Sequence, residues 1–172
     1  MTIPRYYPIA KITVGSGGNT YIEFTSIPAT YSDICIVYSL RSDRAGQVNS
    51  SGRISFNNDA SNYSYKQLIG NGSTTGSGND TNGALIYCPA STATGSTFGN
   101  GTVYIPKYAG NSNKTYSVDF VAETNATNID GQGFSAGLWS STSIITSVKI
   151  IEANGANFVQ YSTATLYGIG KP

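Results

Sequence analysis

A chain of 172 residues buries roughly 70% of its unfolded surface and folds as one domain without a disulfide or metal staple. Its polarity is uncharged: Ser, Thr, Asn and Gly supply it, only 11% of residues are charged, and the net charge is +1. That excludes polyanion binding as the main activity, and a chain with no histidine excludes His-based triads, His metal sites and His general bases.

In chain order, residues 1–8, MTIPRYYP, read as an irregular N-terminal arm, because Pro4 and Pro8 bracket Ile3, Arg5, Tyr6 and Tyr7. Residues 9–172 then read as a single domain. Residues 9–14 predict a strand with Ala10, Ile12 and Val14 on one face. The run GSGGN at 15–19 predicts a hairpin loop whose partner strand is 20–25. Pro28 forces a corner over 26–32. Residues 33–41 are apolar on nearly both faces, the mark of a central strand.

A polar loop is expected over 42–51, then strands at 53–56 and 63–69 around a turn at 57–60. Residues 70–83, GNGSTTGSGNDTNG, contain no apolar residue and predict a long exposed loop. Strands follow at 84–88 and 102–105, separated by a second loop over 89–101 with Phe98 as its anchor. Residues 115–122 alternate clearly, with Tyr116, Val118, Phe120 and Ala122 facing one way. Further strands are expected at 134–139, at 144–153 with Glu152 outward, and at 158–169. Trp139 reads as a core anchor.

The sum is an all-β chain of about ten strands and no helix: an antiparallel two-sheet β-sandwich, specifically a jelly roll. Cys35 and Cys88 fall in strand-like runs without CxxC spacing and read as buried free thiols. No catalytic residue, cofactor or metal is indicated. The turn at 57–59 and the pair Asn79–Asp80 offer oxygen ligands, but in no metal-binding spacing.

Five segments carry a family resemblance: IEFTSIPATYSDICIVYSLRSD (22–43), ISFNNDASNYSYKQLIGNGS (54–73), VYIPKYAGNSNKTYSVDFVAETNAT (103–127), AGLWSSTSIITSV (136–148) and FVQYSTATLYGIGK (158–171). They resemble a β-sandwich domain of tailed-bacteriophage virion proteins, found in capsid decoration (cement) proteins, in head fibres and at the ends of tail fibres. The resemblance implies a non-enzymatic homotrimer. With only a short sticky arm ahead of the domain, capsid decoration is the expected role and a head- or tail-fibre receptor domain the alternative. The partners expected are the major capsid protein, further copies of the chain and a host-surface glycan, with no nucleic acid and no membrane. Residues 1–8 lack the apolar stretch of a signal peptide, so the expectation is synthesis in the host cytoplasm and assembly on the exterior of the virion.

Two candidate surfaces follow. Ile3, Arg5, Tyr6 and Tyr7 are the candidate capsid contact, since a proline-stiffened arm loses little entropy on ordering. Asn71, Asn79, Asp80, Asn82 and Phe98, in the two long loops, are the candidate glycan contact. A rival arrangement docks the capsid on the sandwich wall around 102–107.

Overall fold

The computed structural model describes residues 5–126 and 131–170. It is all-β, with twelve antiparallel strands among the described residues: β1 (Tyr6–Thr13), β2 (Tyr21–Phe24), β3 (Asp33–Leu40), β4 (Asn49–Phe56), β5 (Tyr63–Gly70), β6 (Thr75–Asp80), β7 (Leu85–Pro89), β8 (Gly99–Pro106), β9 (Lys114–Val121), β10 (Gln132–Trp139), β11 (Val148–Glu152) and β12 (Thr163–Ile169). Eight form one sheet in the order β1-β12-β3-β8-β9-β10-β5-β6. The other four form a second sheet, β2-β11-β4-β7.

Only β5–β6 and β8–β9–β10 are hairpins within a sheet. Every other connection crosses from one sheet to the other, which makes the fold a two-sheet β-sandwich with a three-strand meander in the large sheet. Central β3 behaves as its sequence predicts: Ile34, Ile36, Tyr38 and Leu40 enter the core, and Cys35 is buried on the opposite face. The Pro28 corner is held by Tyr108, whose hydroxyl donates to the Pro28 carbonyl, and by Ile27 N donating to Thr146 O at 3.0 Å.

The large sheet is built on aromatic rings lying over glycines. Tyr38 pairs with Gly101, Tyr116 with Gly137 and Phe120 with Gly133 in direct cross-strand register. A Cβ on Gly137 would stand 2.3 Å from the Tyr116 ring, and one on Gly101 2.3 Å from the Tyr38 hydroxyl. Tyr31 covers Gly168 in the same way. At the end of β10, Trp139 stacks on Tyr63 at 6.4 Å and leans on Phe56 at 5.6 Å, while Tyr116 meets Phe56 edge-on at 5.0 Å. Trp139 is the expected core anchor, and its Nε1 donates to Asp59 Oδ2 at 2.8 Å.

Five expectations need correction. Tyr6, Tyr7 and Pro8 are not an irregular arm: they open β1, which pairs with β12 from Tyr6↔Ile169 onward. Pro8 is tolerated because β1 is an edge, and the register shifts between Pro8 and Ala10. Residues 9–14 and 20–25 do not form a hairpin, because β1 belongs to the large sheet and β2 pairs with β11 in the small one. Gly18, at φ 69°, lets the chain turn between them.

The 70–83 stretch is not one loop, since its middle is strand β6, paired with β5 through backbone alone. The polar loop over 42–51 ends early, because β4 already begins at Asn49. Glu152 faces inward, not outward: it shares the parity of Val148 and Ile150, and the strand runs only from Val148. Its carboxylate, 4% exposed, accepts from Ser42 Oγ at 3.3 Å, from Ser50 Oγ, and from the amides of Asn154 at 2.8 Å and Ala156 at 2.9 Å. Burial works to raise its pKa, but the hydrogen bonds from Ser50, Ala156 and Asn154 outweigh it and hold the carboxyl below the ordinary value.

Two outcomes test this packing. Gly137→Ala is expected to cost about 1–3 kcal/mol by forcing the Tyr116 ring aside, the usual range for overpacking. Gly17→Ala, where a Cβ meets nothing within 4 Å, should leave the thermal midpoint unchanged. The second outcome concerns Asp59, whose carboxyl is held down at about 2, first by the Trp139 hydrogen bond and then by Ser61 and Asn62. A depressed carboxylate stabilises the fold above its unfolded pKa of about 3.9 and loses that contribution as pH falls through the folded value. Trp139 fluorescence should therefore hold steady down to about pH 3 and change as pH approaches 2; Asp59→Asn should abolish that change.

Candidate functional site: the outer face of the large sheet

The register of the large sheet fixes which side chains share its outer face. One row runs Tyr167, Cys35, Tyr104, Ser117, Ala136, Lys66, Asn79 from β12 to β6, and the next runs Thr165, Val37, Thr102, Asp119, Phe134, Leu68, Ser77. The centre of the first row is small, with Ser117 and Ala136 on β9 and β10, while Tyr104 and Lys66 stand on either side. This difference in side-chain height leaves a groove of about 890 Å³ whose lining includes Tyr104, Pro106, Ser117, Ala136, Lys66 and Asn79. Beside it, Leu68, Phe134, Ser77 and Asn79 border a hollow of about 520 Å³.

The face is open to solvent, and large apolar side chains stand exposed among its polar ones. Phe134 is 57% exposed, Leu68 51%, Val37 46% and Val121 44%, with Tyr6 and Tyr104 also exposed. These are six of the nine exposed large apolar side chains among the described residues, whereas scattered single ones are usual on protein surfaces. Its opposite number, the outer face of the small sheet, is charged: Lys149 pairs with Glu23 at 3.5 Å and sits over the Tyr21 ring at 4.5 Å.

Tyr104 is fixed at the groove's edge by donating from its hydroxyl to Asp33 Oδ2 at 2.7 Å. That bond to a carboxylate, with burial, pushes the phenol up to about 12, so the ring stays neutral and the hydroxyl stays a donor. Cys35 lies between Tyr104 and Tyr167 in register, and its burial, with the charge of Asp119, pushes the thiol up to about 11. Cys88, in β7, is pushed up to about 12 by burial first and Glu152 second. Both thiols are free.

The structure brings together few of the residues proposed from sequence. Asn79 and Asp80 line the groove. Asp80 is engaged locally, accepting from Thr81 N at 2.6 Å and Asn82 Nδ2 at 3.0 Å. Asn71 lies at the far end of the β5–β6 hairpin, about 17 Å away along the strand. There it closes the turn, its Oδ1 accepting from Thr74 N at 2.7 Å and Ser73 N at 3.0 Å.

Asn82 borders a different hollow with Arg53 and Lys149. Phe98 is half-buried next to β8, in a loop held by Arg41, whose guanidinium donates to the carbonyls of Ala93, Thr94 and Thr97. Tyr7 packs on Tyr31 at 5.8 Å and Tyr6 edge-on against Tyr167 at 6.0 Å. Arg5 is exposed just ahead of β1, and Ile3 lies outside the described residues. Tyr104 falls within the rival wall contact at 102–107, whereas Phe134 and Leu68 have no place in either candidate surface. The available signal was that Phe134, Ala136 and Leu138 alternate out of phase with Trp139, which gives β10 apolar residues on both faces.

No family model matches the chain, and no curated protein does. Among solved structures it is similar to a Scytalido-glutamic peptidase with a peptide based transition state analog, at 13% identity and a TM-score of 0.30, over 84% of this chain and 73% of that one. A likeness of that size carries no argument about activity.

The thiol environment gives a direct test. At pH 8 neither native thiol should react with an aromatic disulfide reagent, and both should react once the chain is unfolded in denaturant. Tyr104→Ala should release Cys35 alone. A fast-reacting thiol in the wild-type native protein would contradict the packing described.

Proposed function

We propose that the protein is a non-enzymatic structural component of a tailed-phage virion, a decoration protein that binds the outer surface of the major capsid protein as a homotrimer. The observation that carries this reading is the exposed apolar face of the large sheet. Eight strands at about 4.8 Å spacing and strands of about 27 Å present roughly 900 Å², against about 800 Å² per partner in a standard protein interface. Val37, Phe134, Leu68 and Tyr104 supply its exposed apolar side chains, with Lys66 and Asp119 beside them, a mixture that suits a protein contact. The wall arrangement is favoured over arm docking, because Tyr6 and Tyr7 are committed to β1 while Thr102, Tyr104 and Pro106 look out from β8.

A second reading, a head- or tail-fibre receptor domain that binds a host-surface glycan, is favoured by the groove. It combines the Tyr104 ring with Lys66, Asn79, Asp80 and Ser117, an apolar surface among polar groups suited to a sugar ring.

The test uses undecorated capsids and purified protein. Light scattering should give the mass of three chains. Val37→Asp with Phe134→Asp should weaken capsid binding by at least about tenfold, the loss of one hot-spot side chain, with the circular dichroism unchanged. Wild-type affinity in that variant would sink the wall contact, and a monomer mass on and off the particle would sink the trimer. Loss of adsorption to host cells in Tyr104→Ala, with capsid affinity intact, would favour the receptor reading.

A further inference from the structure

The sandwich has four free edges, and three of them are guarded. β1 carries Pro8, a register shift and Lys11; β2 is four residues long; β7 is five residues long and ends at Pro89. Proline, irregularity, lysine and shortness are the usual means of preventing strand pairing at an edge. The fourth edge, β6, has none of them. It is six residues long, its register with β5 is regular from Gly70↔Thr75 to Tyr65↔Asp80, and it contains neither proline nor lysine. Gly76 and Gly78 leave its backbone open to approach, and a Cβ on Gly76 would meet nothing within 4 Å.

Two further features flank this edge, one on each face. On the outer face Ser77 is the only side chain between the edge and Leu68, its register partner, so the hollow bordered by Leu68 and Phe134 opens toward the edge. On the inner face Gln67 lies across Gly78: a Cβ there would be 3.2 Å from Gln67 Nε2. Gln67 is 8% exposed, and its Oε1 has no hydrogen-bond partner. The missing side chain at Gly78 leaves the Nε2 end of this amide facing the edge strand.

We propose that β6 is a strand-addition site, which takes an extended segment of a separate partner polypeptide as a ninth strand of the large sheet. The edge fixes the backbone chemistry, since a row of free N–H and C=O groups is matched by another extended chain. The two faces fix the side chains. Alternate residues on one face are apolar and fill the Leu68–Phe134 hollow. Those on the other face carry a hydroxyl or amide oxygen that accepts from Gln67 Nε2 over Gly78. A second copy of this chain does not fit, because TGSGND of β6 has no apolar residue to offer and β1 is guarded. The proposal shares Phe134 with the capsid reading but does not rest on it, since the capsid contact is tested on undecorated particles and this one on β6 alone.

The probe is a nine-residue peptide of alternating threonine and valine with capped ends, and the readout is hydrogen exchange over residues 75–80 of the full chain. At about 1 mM peptide, exchange across β6 should slow severalfold while β1 is unaffected. The same peptide N-methylated at every residue should have no effect. Phe134→Ser, at an exposed site, should weaken the peptide's effect by about tenfold. Replacing the threonines by valine should weaken it as well. Absence of protection, or equal protection by the N-methylated peptide, would overturn the proposal. So would protection that grows with protein concentration alone, since that would place a second copy on the edge.

Discussion

An aromatic ring set on a glycine of the neighbouring strand is the contact on which the large sheet depends. Tyr38 on Gly101, Tyr116 on Gly137 and Phe120 on Gly133 each remove a side chain from one strand to seat a ring from the next, and Tyr31, in the corner ahead of β3, covers Gly168. Glycine in a strand interior is ordinarily destabilising, and the ring restores the missing contact. The hydroxyls then reach further. Tyr38 donates to the Asp119 carbonyl at 3.1 Å, and Tyr116 accepts from Ala84 N at 3.0 Å, ahead of β7 in the other sheet. The unusual richness in glycine and tyrosine is thus one feature rather than two.

Polarity divides the molecule by face rather than by end. The small sheet's outer face carries Glu23, Lys149 and Arg53, whereas the large sheet's carries exposed valine, leucine, phenylalanine and tyrosine beside Lys66 and Asp119. Inside, Glu152 and Lys114 are engaged by short networks. Glu152 draws Ser42, Ser50 and the 154–156 turn together, and Lys114 reaches the carbonyls of Gly110 and Ser112. These networks tie loops to the ends of strands, and on the outer face Asp33 does the same by accepting from Lys107 N at 2.9 Å.

What was legible in the sequence was what burial writes as alternation. Residues 115–122 and the centre of β3 gave strands and inward faces correctly, and Trp139 gave the core anchor. Backbone-held structure was illegible. β6 has no apolar residue to alternate, and its pairing rests on the hydrogen bonds of β5 and the Asn71 turn. The first half of β4 is equally mute, because Ser50 is buried for its bond to Glu152 rather than for hydrophobicity. Glu152 was misplaced because charge was weighed above parity. The apparent hairpin at 15–19 shows the limit of local turn chemistry: the glycines did turn the chain, but into the other sheet. The outer-face site was hidden for a related reason, since an exposed Phe134 and a buried one look alike in sequence.

The unequal edges have a consequence for how the sheet can grow. A sheet with two open sides can be extended without end, each addition offering a fresh template to the next. Here the β1 side is closed by Pro8, its register shift and Lys11, while β6 is open. Growth is therefore one-sided, and two copies cannot link head to tail into a filament by sheet pairing. Polymer formation at high local concentration, the ordinary hazard of an exposed strand, is stopped by the shape of the opposite border rather than by hiding the strand itself.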